Sequence, residues 1–529
     1  MAQAAAASIG LDFGTDSVRA VIVGLDGTEH GSAVSPYEHG QIIESLPGQS
    51  AGHLPPHFAL QHAQDWLDSA ANAVRHALAA CDVDASRIIG IGVDFTSCTM
   101  LPCLSDGTPL CRHDHWHDHP HAWPKLWKHH GAVSQTDDLN RVARERNEPW
   151  LAAYGGTIGL EWLFPKMLEI FDGDRPVFDA ADIFLEAGDW FVWQITDGEQ
   201  LVRSTCQAGY KACWSADTGY PAADLLNSIR PGFGDSVLNK LPGTHQPPGS
   251  RAGVLSPAFA ETSGLPAGIP VATAIIDAHA GVPGVGAAEP GQLVIVMGTS
   301  SCHMLCSSEH RLVPGAAGIV ADGILPGYTG YELGQAAVGD AFAWLHRVTG
   351  RPLAELADEA AALEHGAGGV SCLDFFNGCR TPLMDGSLTG SLHGLTLATT
   401  PAQLYRSILE ATAYGTRWIV DLLTENGVPV EGVILTGGLP HAHPVIPQVY
   451  ADVLGRSVAV HPAKHGPATG AAILGAMAAD ASVSGFSDIK SAVASMSPAM
   501  PTMVEPREAV REIADVGYAR YRELAESHY

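Results

Sequence analysis

One pattern occurs twice in this chain and narrows what it can fold into. Leu293-Val-Ile-Val-Met-Gly-Thr-Ser-Ser-Cys-His-Met-Leu305 reads as an apolar strand, a Gly-Thr-Ser-Ser turn and a second apolar strand. Ile9-Gly-Leu-Asp-Phe-Gly-Thr-Asp-Ser17, continuing into Val18-Arg-Ala-Val-Ile-Val23, repeats it with Gly14 opposite Gly298. Gly298 lets backbone N–H groups approach a ligand with no side chain in the way, and Thr299 to Ser301 supply hydroxyls. A chain can hold phosphates in this way with few cations. Either turn alone also fits an ordinary surface hairpin. The repetition favours two related halves facing one polyphosphate.

At 529 residues the chain exceeds one ordinary core, so two large domains are expected. A hydrophobic content of 46%, with 58 Gly and 35 Pro, suits a loop-rich α/β protein. The formal charge of −28 argues against nucleic acid or acidic membrane partners, because no basic field exists to attract them. An anionic ligand must then be held by backbone amides, helix N-termini, Mg²⁺ and a few cations. Ten cysteines lie between Cys81 and Cys379 with no CxxC pair, which predicts reduced cytoplasmic thiols without a disulfide frame or zinc site. Met1 to Ser8 is alanine-rich without a basic start, and uncharged runs are broken by Gly and Pro. Neither a signal peptide nor a membrane span is expected.

Along the chain, residues 8–35 read as a three-stranded meander turning at Asp26-Gly27. Asp12 ends the first strand, where it could hold Mg²⁺ or cap its own turn. Arg19 could reach a phosphate or pair with an acid. Residues 65–81 have helical spacing, and Arg87 to Phe95 is a buried strand delivering Asp94 to Cys98 to its end, a candidate site wall. The run His113-Asp-His-Trp-His-Asp-His-Pro-His121 suggests metal binding, but Pro120 argues against a regular strand. A polar loop lining a sugar pocket through Trp116 or Asp118 is the favoured reading. Leu126 to His130 is expected to open a short helix, with Trp127 either stacking on a sugar face or packing as core. Gln207 to Trp214 reads as a loop presenting Lys211, a site candidate because lysine is seldom buried without a partner. Residues 231–270 read as a connection.

Val271 to Ile276 is a buried strand ending on Asp277, which could act as a desolvated base or cap the next helix. Glu332 and Gln335 are expected at the mouth of a helix over 336–349. Thr400-Pro-Ala-Gln403 is a capping box opening a helix that stops at Gly427. Gly432 to Thr436 is a strand ending in Gly437-Gly438, where a nucleotide could lie against the backbone. Gly466 to Gly475 is a small-residue helix start expected to pack near that diglycine.

Taken together, these residues resemble the FGGY carbohydrate kinases of the actin/Hsp70/sugar-kinase superfamily, and within them the bacterial ribulokinases. The resemblance covers roughly residues 8–525. Gly10-Leu-Asp-Phe-Gly-Thr15, Val296-Met-Gly-Thr-Ser300 and Thr436-Gly-Gly438 are general to sugar kinases. More particular are Gly92-Val-Asp-Phe-Thr-Ser-Cys-Thr99, Leu126-Trp-Lys-His-His130, Ala208-Gly-Tyr-Lys211, Ile276-Asp-Ala-His279, Gly330-Tyr-Glu-Leu-Gly-Gln335 and Asp374-Phe-Phe-Asn-Gly-Cys-Arg380. The resemblance implies two duplicated actin/RNase H-like α/β domains, 1–284 binding sugar and 285–529 binding ATP, with the active site in the cleft between them. It implies Asp277 as the catalytic base, and Thr96, Ser97, Trp127, Lys211 and Glu332 as sugar-binding residues. Thr15, Arg19, Gly298 and Thr299 would hold phosphates, Gly334, Gly437 and Gly438 would flank the nucleotide, and Asp12 would serve Mg²⁺. The implied reaction is ATP-dependent phosphorylation of ribulose, L-ribulose being favoured, in arabinose catabolism. Another ketose or polyol as acceptor, or a sugar sensor on the same fold, is the alternative. Partners are then a ketopentose and ATP, with room for a homodimer. Pro440-His-Ala-His443 departs from the family pattern, so no adenine contact is assigned there.

Overall fold

Runs of β-branched and small apolar residues build most of the strands. The first half carries β1 (Ala7–Phe13), β2 (Ser17–Gly24), β3 (Glu29–Pro36), β4 (Ile88–Phe95), β5 (Met100–Cys103), β6 (Ile183–Glu186), β7 (Val202–Ser204), β8 (Thr244–Gln246), β9 (Arg251–Val254), β10 (Pro270–Ala272) and β11 (Ile275–Ile276). The second carries β12 (Gln292–Met297), β13 (Ser301–Ser307), β14 (Gly318–Ala321), β15 (Thr329–Gln335), β16 (Ser371–Leu373), β17 (Ser391–His393), β18 (Gly432–Thr436), β19 (Val458–Val460) and β20 (Thr502–Val504). The structure, a computed structural model, describes residues 6–49, 53–196, 201–462, 464–497 and 500–527. The alanine-rich start up to residue 5 lies outside them. None of the described helices is long and apolar enough to cross a membrane.

Two seven-stranded sheets share one plan. The first runs β3-β2-β1-β4-β10-β9 with β11 also on β4; the second runs β14-β15-β13-β12-β18-β19-β20. In each, a leading hairpin (β1–β2, β12–β13) is antiparallel and the next pairing inward (β1–β4, β12–β18) is parallel. In each, the far edge strand is antiparallel. The duplication announced by two Gly-Thr turns thus extends over whole sheets, and each turn joins the first two strands of its own sheet. β1 and β4 are buried nearly throughout, as expected for central strands covered on both faces.

Helices Asp277–Gly284 and Gly466–Ala478 occupy equivalent places, each following the parallel strands of its half, and they pack on each other. A Cβ on Gly284 would strike the carbonyl of Gly466, and one on Gly470 would strike that of Ala280. The second helix also lies on the first sheet: Gly10 and Gly92 face the carbonyls of Ala468 and Ala471 with no room for a side chain. Its small residues therefore serve the junction between halves, a correction to the expectation that they pack near the diglycine.

Other expectations change locally. Residues 126–130 form a turn, and the helix starts only at Val133. His129 N donates to Leu126 O at 2.8 Å and closes this single turn, while the Lys125 carbonyl is bridged to Met100 N, and the Lys166 ammonium adds a second donor to each carbonyl. Residues 205–211 form a helix capped by Ser204, which places Lys211 on its last turn. Residues 231–270 contain β8, β9 and helix Pro257–Ser263, and β9 completes the first sheet. Glu332 lies in mid-strand on β15, not at a helix mouth, and the following helix begins at Gly339. The capping box at Thr400 is present in both directions, Thr400 Oγ1 accepting from Gln403 N and Gln403 Oε1 accepting from Thr400 N.

Candidate active site

The two turns present free donors. Gly14 N donates to Ser17 O at 3.0 Å and Gly298 N to Ser300 O at 2.9 Å, closing equivalent loops. The carbonyls of Gly298 and Thr299 accept from Gly339, Val338 and Asp340 N–H groups, which ties the second turn to the start of helix Gly339–Thr349. Among the described residues, the N–H groups of Thr15, Asp16, Thr299 and Ser300 find no acceptor in the protein. Such a set of amides is what an oligophosphate requires. Gly437, at φ +91°, lies against the backbone of Met297, which brings the diglycine beside the second turn; Gly438 is open on its Cα side.

Carboxylates gather at the ends of β1, β4 and β11. Asp12 is partly exposed and bonded to Arg19 Nη1 at 3.0 Å, so Arg19 spends its charge on an acid. Asp94 is the β4 partner of Asp12 in register and is fully buried, and neither of its oxygens finds a hydrogen-bond partner. Burial, with Asp12 and Asp277 beside it, pushes Asp94 well above the usual carboxylate range. Asp277 opens helix Asp277–Gly284 as its first residue, the cap position itself being Ile276. Its Oδ1 accepts from Ala278 N at 2.7 Å. Burial raises Asp277 to about 7, the Ala278 N–H opposes this and Asp12 adds to it.

Lys211 and Glu332 come from different halves and meet across the cleft, Nζ donating to both carboxylate oxygens at 2.9 and 3.1 Å. His279 Nε2 stands 3.4 Å from the same carboxylate. Burial works against both charges, but the pairing prevails: Glu332 is held well below its usual range and Lys211 above its own. The Lys211 ammonium also lies 5.5 Å from the Trp162 ring.

The other expected residues divide. Trp127, exposed on a turn, donates from Nε1 to Thr15 Oγ1 at 3.1 Å, joining its own turn to the first Gly-Thr turn. Thr96 is buried, with its hydroxyl bonded to that of Thr99 at 2.9 Å; Ser97 beside it is half-buried. Gly334 is buried on β15, bonded both ways to Thr381 and covered by the Arg380 guanidinium, which gives it a packing role.

In the histidine run, His119 pairs with Asp174 at 2.8 Å, Trp116 packs between His115 and His119, and Asp118 accepts from Gln49. Trp116 is thus engaged within its own loop and Asp118 with Gln49. The metal-sized group that does form among the described residues is elsewhere, at His39, His62 and Asp65. Its ligand atoms are engaged already: both Asp65 oxygens accept from His39, and His62 Nδ1 accepts from Gln64 N.

Sequence reading passed over two residues of this region. His279 could have been suspected from its spacing, two residues after Asp277. Lys166 carried no local signal, since it sits mid-way in an apolar helix.

Residues 293–479 match the FGGY family of carbohydrate kinases, C-terminal domain. A ribulokinase from Shouchella clausii is 43% identical over 98% of this chain and 94% of its own length. Another from Geobacillus thermodenitrificans is 43% identical over 98% and 93%. The crystal structure of xylulose kinase from Rhodospirillum rubrum superposes with a TM-score of 0.81 at 23% identity, covering 98% of each chain, and shares the fold.

Proposed function

The chain belongs to the FGGY family of carbohydrate kinases, and from that premise we propose that it transfers the γ-phosphoryl group of ATP to the terminal hydroxyl of ribulose, L-ribulose being the favoured acceptor. The observation that carries this reading is the desolvated Asp277 carboxylate, tuned to about 7 beside a Lys211–Glu332 pair and opposite two amide-lined turns. Relatives named ribulokinase at 43% identity over nearly the whole chain support the acceptor class.

Asp277 accepts the proton of the hydroxyl as its oxygen attacks phosphorus. Lys211 donates to sugar oxygens, and Glu332 accepts from sugar hydroxyls. Amides of the Gly14–Asp16 and Gly298–Ser300 turns hold the phosphates without bulk charge. The diglycine at Gly437 offers a flat surface beside the second turn for the nucleotide. The oxygen-only donors of Asp12, with the orphaned oxygens of Asp94 adjacent, suit Mg²⁺. Mg²⁺ held there by Asp12 would supply neutralising charge to the β- and γ-phosphate oxygens. Residues 1–284 form the sugar-binding half and 285–529 the ATP-binding half in this proposal. The sheets support that division, since the first uses strands only up to Ile276 and the second only from Gln292. We place the enzyme in the cytoplasm, where its ten free thiols would stay reduced.

The test is ATP-to-ADP turnover against L- and D-ribulose, L- and D-xylulose, ribitol and glycerol. Preference for ribulose is expected. Turnover with none of these sugars, or equal turnover without sugar, overturns the proposal.

A further inference from the structure

Two walls of the acceptor pocket come from separate stretches of chain, the Thr96–Ser97 loop after β4 and the Trp127 turn. Each is irregular. Cys98, directly after Ser97, sits at φ +62°, a left-handed conformation that a side-chain-bearing residue adopts only when its surroundings hold it. Trp127 sits in a single turn closed by His129 N donating to Leu126 O at 2.8 Å. One side chain reaches both. The Lys166 ammonium, on helix Leu163–Gly173 and 0% exposed, donates to Cys98 O at 2.6 Å, to Leu126 O at 2.9 Å and to Lys125 O at 3.4 Å. Three N–H donors thus meet three carbonyls, and among the described residues no carboxylate lies within ion-pairing distance. Two of those carbonyls belong to the residues adjoining Ser97 and Trp127.

A buried ammonium is costly, and an ordinary packing position on an apolar helix would be filled by Leu or Met. Reading one cation against carbonyls of two loops gives it a geometric consequence that an apolar residue lacks. The loops are already bridged one step away, Met100 N donating to Lys125 O at 3.1 Å and Lys125 N to Met100 O at 2.8 Å. Lys166 clamps the residues next to that bridge, Cys98 and Leu126. Trp127 in turn donates from Nε1 to Thr15 Oγ1 at 3.1 Å.

We propose that Lys166 is a positioning residue that sets the distance between the Ser97 and Trp127 walls, and through it which ketose the pocket accepts. This deepens the assignment of the cleft as a ketose kinase site and rests on it. Glu169, one turn further along the same helix, grips the two sides of the Trp127 turn but not the Cys98 wall. It pairs with His129 Nε2 at 2.8 Å and Lys125 Nζ at 3.3 Å and bonds to neither wall carbonyl.

The experiment is steady-state kinetics of the full-length enzyme with the ketose panel and with ATP, on Lys166→Met, Lys166→Gln and Glu169→Gln, alongside thermal unfolding. Lys166→Met should raise KM for the preferred ketose about tenfold or more and flatten its preference over the other ketoses, with KM for ATP changed less than about twofold. Lys166→Gln keeps an amide donor and should recover part of both effects. Glu169→Gln should lower the unfolding midpoint and change ketose KM and preference less than Lys166→Met, because the Cys98 and Leu126 carbonyls keep their clamp. Unchanged ketose KM and preference in a folded Lys166 variant overturns the proposal, as does an equal loss for every acceptor and for ATP. Should Lys166→Met not fold, Lys166→Gln decides by the same two criteria. A wild-type enzyme that phosphorylates no ketose refutes the ketose kinase assignment itself, which is a different outcome from a folded variant with wild-type selectivity.

Discussion

Asp277 is where burial becomes chemistry. A carboxylate near 7 is half-ionised at neutral pH and basic enough to take a hydroxyl proton. Asp277→Asn should lower kcat by about a thousandfold or more while ADP binding, followed by calorimetry, stays within about twofold. The wild-type kcat/KM should fall as pH drops below about 7, because only the anion accepts a proton. Stability runs the other way. The folded-state value lies above the ordinary 3.8, so protonated Asp277 favours the fold at low pH and that contribution is lost as pH rises through about 7. Metal-free Asp277→Asn should therefore unfold at a higher temperature than wild type at pH 8 and at nearly the same temperature at pH 4. The Lys211–Glu332 pair behaves differently, since each partner justifies the other's burial. Glu332→Gln leaves an uncompensated ammonium and should cost about 3 kcal/mol in denaturant unfolding and raise the ketose KM. The Lys211→Met/Glu332→Gln double variant should lose less stability than the sum of the two single ones.

At the scale of elements, the glycines of β1 and β4 mark how closely helix Gly466–Ala478 approaches the first sheet. Gly92→Ala would drive a methyl into the Ala471 carbonyl, and neither backbone can retreat cheaply. We expect a loss of about 2–3 kcal/mol, read as a lower urea midpoint, with reduced activity because the same helix packs on the one that begins with Asp277. Thr400→Ala is the contrast. It removes one exposed cap from helix Pro401–Glu425 and should cost about 1 kcal/mol with unchanged kinetics. The capping box was readable in the sequence because all of its partners lie within four residues. The turn at 126–130 was not, because its carbonyls are met by Met100 and Lys166, both distant in sequence.

For the whole molecule, the Lys211–Glu332 pair spans the two halves, and under the proposed function it belongs to the sugar pocket, so ligand binding and domain approach should be one event. Ketose and a non-hydrolysable ATP analogue together should reduce the radius of gyration in solution scattering more than either alone. ATP hydrolysis without sugar should run at least about a hundredfold slower than transfer. The sequence by itself determined the duplicated α/β plan, the two phosphate turns and the identity of Asp277, Lys211 and Glu332 as candidates. Those are local patterns of strand, turn and residue type, and the family resemblance carried the rest of that list. Only the tertiary structure decided that Lys211 pairs with Glu332, that Arg19 is occupied by Asp12, that Asp94 is buried without a partner, and that a helix of the second half lies on the sheet of the first. The physical reason is common to all four. Burial and long-range pairing depend on which surfaces meet, and a linear pattern records the faces of each element but not the partner each face will find.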